Sequence, residues 1–160
     1  MRDRILYRGQ PFDVTAMHAM RERQLRHLVM GGTINPKFSP GGLVDIEYLV
    51  QGMQITRGHE YRALRTPNTY AAMAGLFEAR ILSEEDYARL RKAYTFFRWL
   101  IDGLRVVAGN AKDLLVPPFE SEGFAFLARR MRYGDNTAQL KSDLEIHSAN
   151  VLDLNRKLLG

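Results

Sequence analysis

Cysteine is absent from the 160 residues. That removes disulfides, thiolate-bound zinc, iron–sulfur clusters and thiol nucleophiles, and it fits a reducing compartment. Long apolar runs are also lacking. No segment approaches the length needed to span a bilayer, and the opening MRDRILYRGQPFD has no apolar core of the kind a secretion signal requires. The expected location is therefore the cytoplasm, with no membrane partner. The four histidines, His18, His27, His59 and His147, are scattered without HExxH or similar spacing, so no metal site is expected. Repeats, low-complexity tracts and alternating β-branched runs are missing as well, which argues against a sheet. Lys and Arg outnumber Asp and Glu by 23 to 18, for a net charge of +5. The basic residues are mixed with acids, with no long Lys/Arg block and no basic run interleaved with aromatics. Nucleic acid is permitted by the charge but is not the expected partner.

What is present is helical periodicity broken by short punctuated loops. Between about Asp13 and Met30, Val14, Met17, Leu25 and Leu28, with Ala16 and Met20 beside them, form an approximate apolar stripe, with RERQLRH as the polar face. The segment GGTINPKFSPGG is dense in glycine and proline and must be a loop. A second helix starts near Gly42, carries Leu43, Ile46, Val50 and Met53 at helical spacing, and stops at Gly58. RTPNTYAAMAGLFEARI reads as a third, with Thr66 as N-cap and Pro67 in the first helical position. The clearest signal follows. Ser83 and Asp86 resemble a capping box, and Tyr87, Leu90, Tyr94, Phe97, Ile101, Leu104 and Ala108 alternate in steps of three and four. Phe96, Leu100 and Val107 widen the stripe, predicting a long helix buried on more than one side, ended by Gly109 and Asn110. DLLVPPFES is a loop because paired prolines exclude a helix interior. A short helix is predicted over Glu122–Tyr133, and a last one from about Asn136 to Leu158 with Leu140, Leu144, Val151, Leu154 and Leu158 inward. The fold class is all-α, a bundle of about five to six helices, and residues 1–160 are expected to form one helical domain.

The stretch KFSPGGLVDIEYLVQ raises the functional question. Gly41 and Gly42 precede a helix whose N-terminal amides attract anions, yet a P-loop or dinucleotide fingerprint needs more glycines and a preceding strand. Asp45 and Glu47 suit the helix dipole and would oppose an anion bound there. Standing two residues apart, they face different sides of the helix and do not make a simple metal pair. Glu47, Gln51 and Gln54 form a polar strip, with Lys37 before the turn and Arg65 after the helix, facing either a partner or water. Arg98 and Arg105 share a face with Asp102, as an intrahelical ion pair or as a phosphate or partner contact. His147 falls on an inner stripe and reads as a hydrogen-bonded packing residue, and Trp99 as core or interface. No nucleophile has a recognisable context, so no catalytic residue is assigned.

The series K-x-x-P-G-G-L-x-D-I-E-Y-L-V-Q, LRTPNT and ILSEEDYARLRKAYTFFRWLIDGLR resembles the helical domain of glutamate–ammonia ligase adenylyltransferase, and the similar domain of the uridylyltransferase of nitrogen signalling. Lys37, Gly41, Gly42, Asp45, Glu47, Gln51, Leu64, Arg65, Thr66, Tyr94, Phe97 and Arg98 stand at matching positions, and the likeness covers nearly the whole chain. Two departures are visible. Val44 stands where the family commonly has Arg, and Ile101-Asp102-Gly103 where it usually carries a Glu-His pair. The Gly-Ser turn and Asp-x-Asp pair of the family's catalytic domain, which bind the nucleotide triphosphate and two Mg²⁺, are not in this sequence. The resemblance thus implies a non-catalytic, substrate-binding or regulatory helical domain, with ATP and Mg²⁺ belonging to a partner catalytic domain. A nucleotidyltransferase subunit or a glutamine synthetase-like target is the implied partner. The implied cleft-facing set is Lys37, Gly41, Gly42, Asp45, Glu47, Gln51, Arg65, Thr66 and Arg98. The opening Met1 is compatible with a stand-alone protein, a split subunit or a truncated descendant. From another class, a stand-alone basic protein binding RNA or an acidic protein is the alternative.

Overall fold

The computed structural model describes residues 7–109 and 114–160. The opening MRDRIL, Asn110 at the predicted end of the long helix, and Asp113 of the predicted loop lie outside them. The described residues form six α-helices: α1 (Val14–Leu28), α2 (Leu43–Arg57), α3 (Thr69–Glu78), α4 (Glu84–Ala108), α5 (Glu122–Arg130) and α6 (Thr137–Leu158), with one 3₁₀ turn at Arg62–Leu64. No strand occurs among the described residues. No helix among them is long and apolar enough to cross a membrane. The chain is an all-α bundle, as its periodicity predicts.

The long helix α4 is the axis, and α2, α3, α5 and α6 all pack on it. Its three-four stripe is the reason: Leu90, Leu100 and Leu104 are fully buried, and Tyr94, Phe97 and Ile101 nearly so. Leu140, Leu144, Val151 and Leu154 of α6 meet this stripe, and Ile46, Leu49 and Val50 of α2 join the same core. Each such side chain contributes about 1.5–3 kcal/mol of apolar burial. Along the α4–α6 seam the ends are pinned by polar contacts. Lys157 Nζ donates to Asp86 at 2.7 Å, and Arg89 reaches Asn150 at 2.9 Å and Asp153 at 2.8 Å.

Several local expectations are corrected. Thr66 is not the N-cap of α3. Asn68 is, its side chain accepting from the Ala71 amide at 2.9 Å, while Thr66 Oγ1 accepts from the Asn68 amide at 3.2 Å in the turn before it. Pro67 consequently lies outside the helix. Both side chains can cap, and the 3₁₀ turn at Arg62–Leu64 delays the helix by two residues. Ser83 caps α4 by accepting from the Asp86 amide, but the Asp86 carboxylate turns to Lys157 instead of closing the box. Ala108 at the end of α4 is exposed rather than inward.

Both α3 and α5 stop earlier than predicted, and by the same device. Arg80 (φ 58°) and Arg132 (φ 68°) take the left-handed conformation. Ile81 then bonds back to Leu76 and Tyr133 to Ala128, the crossed pattern that closes a helix C-terminus and usually employs glycine. In α1 the apolar stripe is weak: Met17 is buried, but Leu28 and Met20 are exposed. Arg21, from the supposed polar face, is 5% exposed. Trp99 is 60% exposed and is no part of the core.

Candidate functional site

The Gly-Gly turn is a packing device. Gly41 has φ +76°, and a Cβ there would run into the Ser148 carbonyl of α6 and approach its Cα and carbonyl carbon at 2.9 Å. A Cβ on Gly42 would stand 2.6 Å from the Pro36 carbonyl oxygen. Only glycine permits both approaches. The amides at this helix start are already engaged. Gly41 N–H donates to Asp45 Oδ2 at 2.8 Å. Gly42, Leu43 and Val44 donate to the carbonyls of Ser39, Pro36 and Lys37 at 2.9–3.0 Å. These four amides are spent on protein acceptors and are not turned out to cradle a phosphate, which suits a helix entrance.

Asp45 has a second bond. Arg21 Nε donates to its Oδ1 at 2.6 Å, with the two side chains 6% and 13% exposed. The same guanidinium donates to Gln24 Oε1 and the Phe38 carbonyl at 3.0 Å. This buried pair fastens α1 to the start of α2 and consumes Asp45 structurally. Gln54, placed in the sequence on a polar strip, is also buried. Its amide nitrogen donates to the Leu64 carbonyl at 2.6 Å and the Thr66 carbonyl at 2.8 Å, holding the turn before α3. Arg65 Nε donates to the Gly58 carbonyl at 2.8 Å, with its guanidinium over the Tyr7 ring.

What the fold does bring together is a cleft of about 420 Å³ between the α1–α2 loop, α2 and the second half of α4. Lys37, Glu47, Arg98, Asp102 and Arg105 supply its charges, and Phe38, Leu43, Ile101 and Leu114 its apolar floor. The loop bearing Lys37 is braced by hydrogen bonds. Buried Asn35 accepts from the Lys37 and Phe38 amides at 3.0 and 3.2 Å, a turn that asparagine builds readily. The Val116 amide ties the Pro-Pro loop to the Ile34 carbonyl at 2.9 Å. Arg105 donates to Asp102 at 2.9 Å. Arg98 leans on the Tyr94 ring and donates weakly to its hydroxyl at 3.4 Å. Glu47 makes no hydrogen bond or ion pair among the described residues. Three cations thus face two carboxylates; Lys37 and Arg98 pair with no carboxylate among the described residues, the Lys37 ammonium standing 5.3 Å from the centre of the Phe38 ring.

Of the sequence-predicted set, then, Lys37, Glu47 and Arg98 share the cleft. Gly41, Gly42 and Asp45 form its buttress. Gln51 lines a different groove, beside Tyr48 and Ile55, and Arg65 and Thr66 belong to the far end of α2. Asp102 and Arg105 are not in the set that the resemblance implies, yet they line the cleft. Their spacing from Arg98 on one helix was the available signal.

His147 sits elsewhere, with its ring 4.7 Å from that of Phe96 and Nδ1 buried without a hydrogen-bond partner among the described residues. Burial lowers its pKa, the Asp143 carboxylate opposes that, and the Lys92 ammonium adds to it. Asp143 is itself engaged, accepting from the Tyr133 hydroxyl at 2.6 Å. Burial and that contact push the phenol well above its ordinary value.

A family model described as GlnD PII-uridylyltransferase matches residues 15–159. The chain is also similar to the bifunctional glutamine synthetase adenylyltransferase/adenylyl-removing enzyme of Streptomyces coelicolor. Identity is 33% over 105 residues, covering 66% of this chain and 10% of that protein. The chain therefore spans about a tenth of the length of that curated relative. With a match running from α1 to the end of α6 and an all-helical fold, the chain belongs to the GlnD PII-uridylyltransferase family, as a helical domain of it.

Proposed function

We propose that this chain is the helical substrate-binding or regulatory domain of a glutamine-synthetase adenylyltransferase-like nucleotidyltransferase. It meets the catalytic domain or the target protein along the cleft of Lys37, Glu47 and Arg98, with residues 1–160 acting as one domain in the cytoplasm. The observation that carries this reading is the convergence of those three side chains, drawn from two helices and a braced loop, at one cleft in a chain of this family. Mixed charge suits a protein surface of complementary pattern, where such contacts set register and partner choice.

In this reading ATP and Mg²⁺ are held by the catalytic domain. The described residues do not fit that role themselves. No group of three or more His, Asp or Glu side chains among them converges on a metal position, and the Asp102 carboxylate is engaged by Arg105.

The test is affinity capture by the tagged chain from an extract of its source, with partners identified by mass. Recovery of a glutamine synthetase-like protein or a nucleotidyltransferase subunit is expected. The double variant Lys37→Glu/Arg98→Glu is expected to weaken that recovery about tenfold or more. Recovery of neither partner, or equal recovery by the variant, overturns the proposal.

A further inference from the structure

A second surface lies where α5 crosses α4. The crossing point is Gly103, at which a Cβ would meet Leu127 Cδ1 at 3.1 Å. Flanking Gly103 on α4, at spacings of four and three, stand Trp99 and Val106, exposed by 60% and 52%. On α5, Phe126 is 52% exposed and shares a face with Arg130 four residues on. Trp99, Arg130, Met131 and Arg132 line a hollow of about 320 Å³. The indole is the chain's sole tryptophan, and large aromatics left open beside other apolar groups mark contact surfaces.

The cations are as telling. Arg130 and Arg132 have no carboxylate partner among the described residues, whereas their neighbour Arg129 meets Asp135 at 3.5 Å. Arg132 holds φ +68°, a conformation that favours glycine. That conformation is the closure of the α5 C-terminus, and it sets the Arg132 side chain beside Trp99 at the hollow.

We propose that this corner docks an acidic segment of another protein, which seats an apolar side chain against Trp99 and sets carboxylates on Arg130 and Arg132. Bidentate carboxylate binding suits paired guanidinium groups, and an aromatic beside arginine is the usual composition of an energetic contact. A nucleic acid fits less well. One indole provides no series of stacking platforms, and Met131, the other uncharged group lining the hollow, offers no aromatic face for a second base. The hollow shares no lining residue with the cleft, so the inference goes beyond the proposed function.

Trp99 is its own reporter. The full chain is titrated with an acetylated, amidated peptide of sequence Glu-Asp-Phe-Asp-Glu-Leu-Glu while the indole emission is followed. The comparison probes are the same peptide with lysine at each acidic position and a short oligouridylate. The expected result is a saturable blue shift with the acidic peptide and none with the lysine peptide. The variant Arg130→Gln/Arg132→Gly is expected to bind about tenfold or more weakly. Glycine relaxes the positive φ, so a folding defect does not explain that loss. No saturable shift up to millimolar acidic peptide, equal binding by the variant, or tighter binding of oligouridylate would each overturn the proposal.

Discussion

Alanine at Gly41 is the sharpest test of the packing argument, because three glycines of one loop separate the terms. At Gly31 a Cβ meets nothing and the backbone φ is not positive, so Gly31→Ala is expected to be near neutral. At Gly32 the φ is +77° but the space is open. Gly32→Ala therefore isolates the left-handed strain, about 1–2 kcal/mol. At Gly41 the φ is +76° and the Cβ also enters the backbone of α6 at Ser148. Backbone does not swing aside as a long side chain would, so a further 1–3 kcal/mol or so is expected from overpacking. The total for Gly41→Ala is about 2–5 kcal/mol. At about 2–4 °C per kcal/mol for a chain of this size, the melting temperature should fall by roughly 4–20 °C. Urea unfolding followed by far-ultraviolet circular dichroism reads all three variants on one scale. If Gly41→Ala loses no more stability than Gly32→Ala, the close approach of the turn to α6 is refuted.

Three further outcomes follow from the same geometry. Asp45→Ala strands the buried Arg21 guanidinium and should cost about 3–5 kcal/mol, whereas Glu47→Ala should lie within about 0.5 kcal/mol of wild type; comparable urea midpoints would contradict the assignment. Arg80→Gly places glycine at φ 58° and should stabilise by roughly 0.5–1 kcal/mol, a gain seen as a raised urea midpoint. For His147, burial holds the folded-state pKa below the ordinary 6.5, so the unfolded chain takes up its proton first as the pH falls. Stability is then flat with respect to this group above about pH 7 and declines below it, and His147→Gln should show a smaller drop in melting temperature between about pH 7.5 and 5.5 than wild type.

The sequence made the long helix and its closing partner legible because apolar residues there follow one period without interruption. It was less informative where polar side chains do structural work. Arg21 looks like part of a solvated face, and only a carboxylate 24 residues away explains its burial. Gln54 looks like surface for the same reason, until the two carbonyls it holds come into view. Helix ends at Arg80 and Arg132 carry no glycine to announce them, and Asn68 and Thr66 compete for one cap on nearly equal terms. At the cleft, Lys37, Glu47 and Arg98 could be picked out by type and by resemblance. That they converge depends on how the Asn35 turn is braced, which no local pattern encodes. Trp99 reads from the sequence as core or interface alike, since large apolar residues are usually buried.

The seam between α4 and α6 also has a consequence in time. Its pinning contacts join residues 61 to 71 positions apart, and the Gly41 turn rests on the same closing helix. During synthesis the core face of α4 is made long before its cover exists. α2 and α3 can cover part of α4 as it emerges, but the stripe that meets Leu140, Leu144, Val151 and Leu154 stays exposed until α6 has emerged. Delay in the synthesis of α6 would leave an intermediate with the α6-facing stripe of its central helix uncovered. Association between such chains is the hazard that this late-closing arrangement carries.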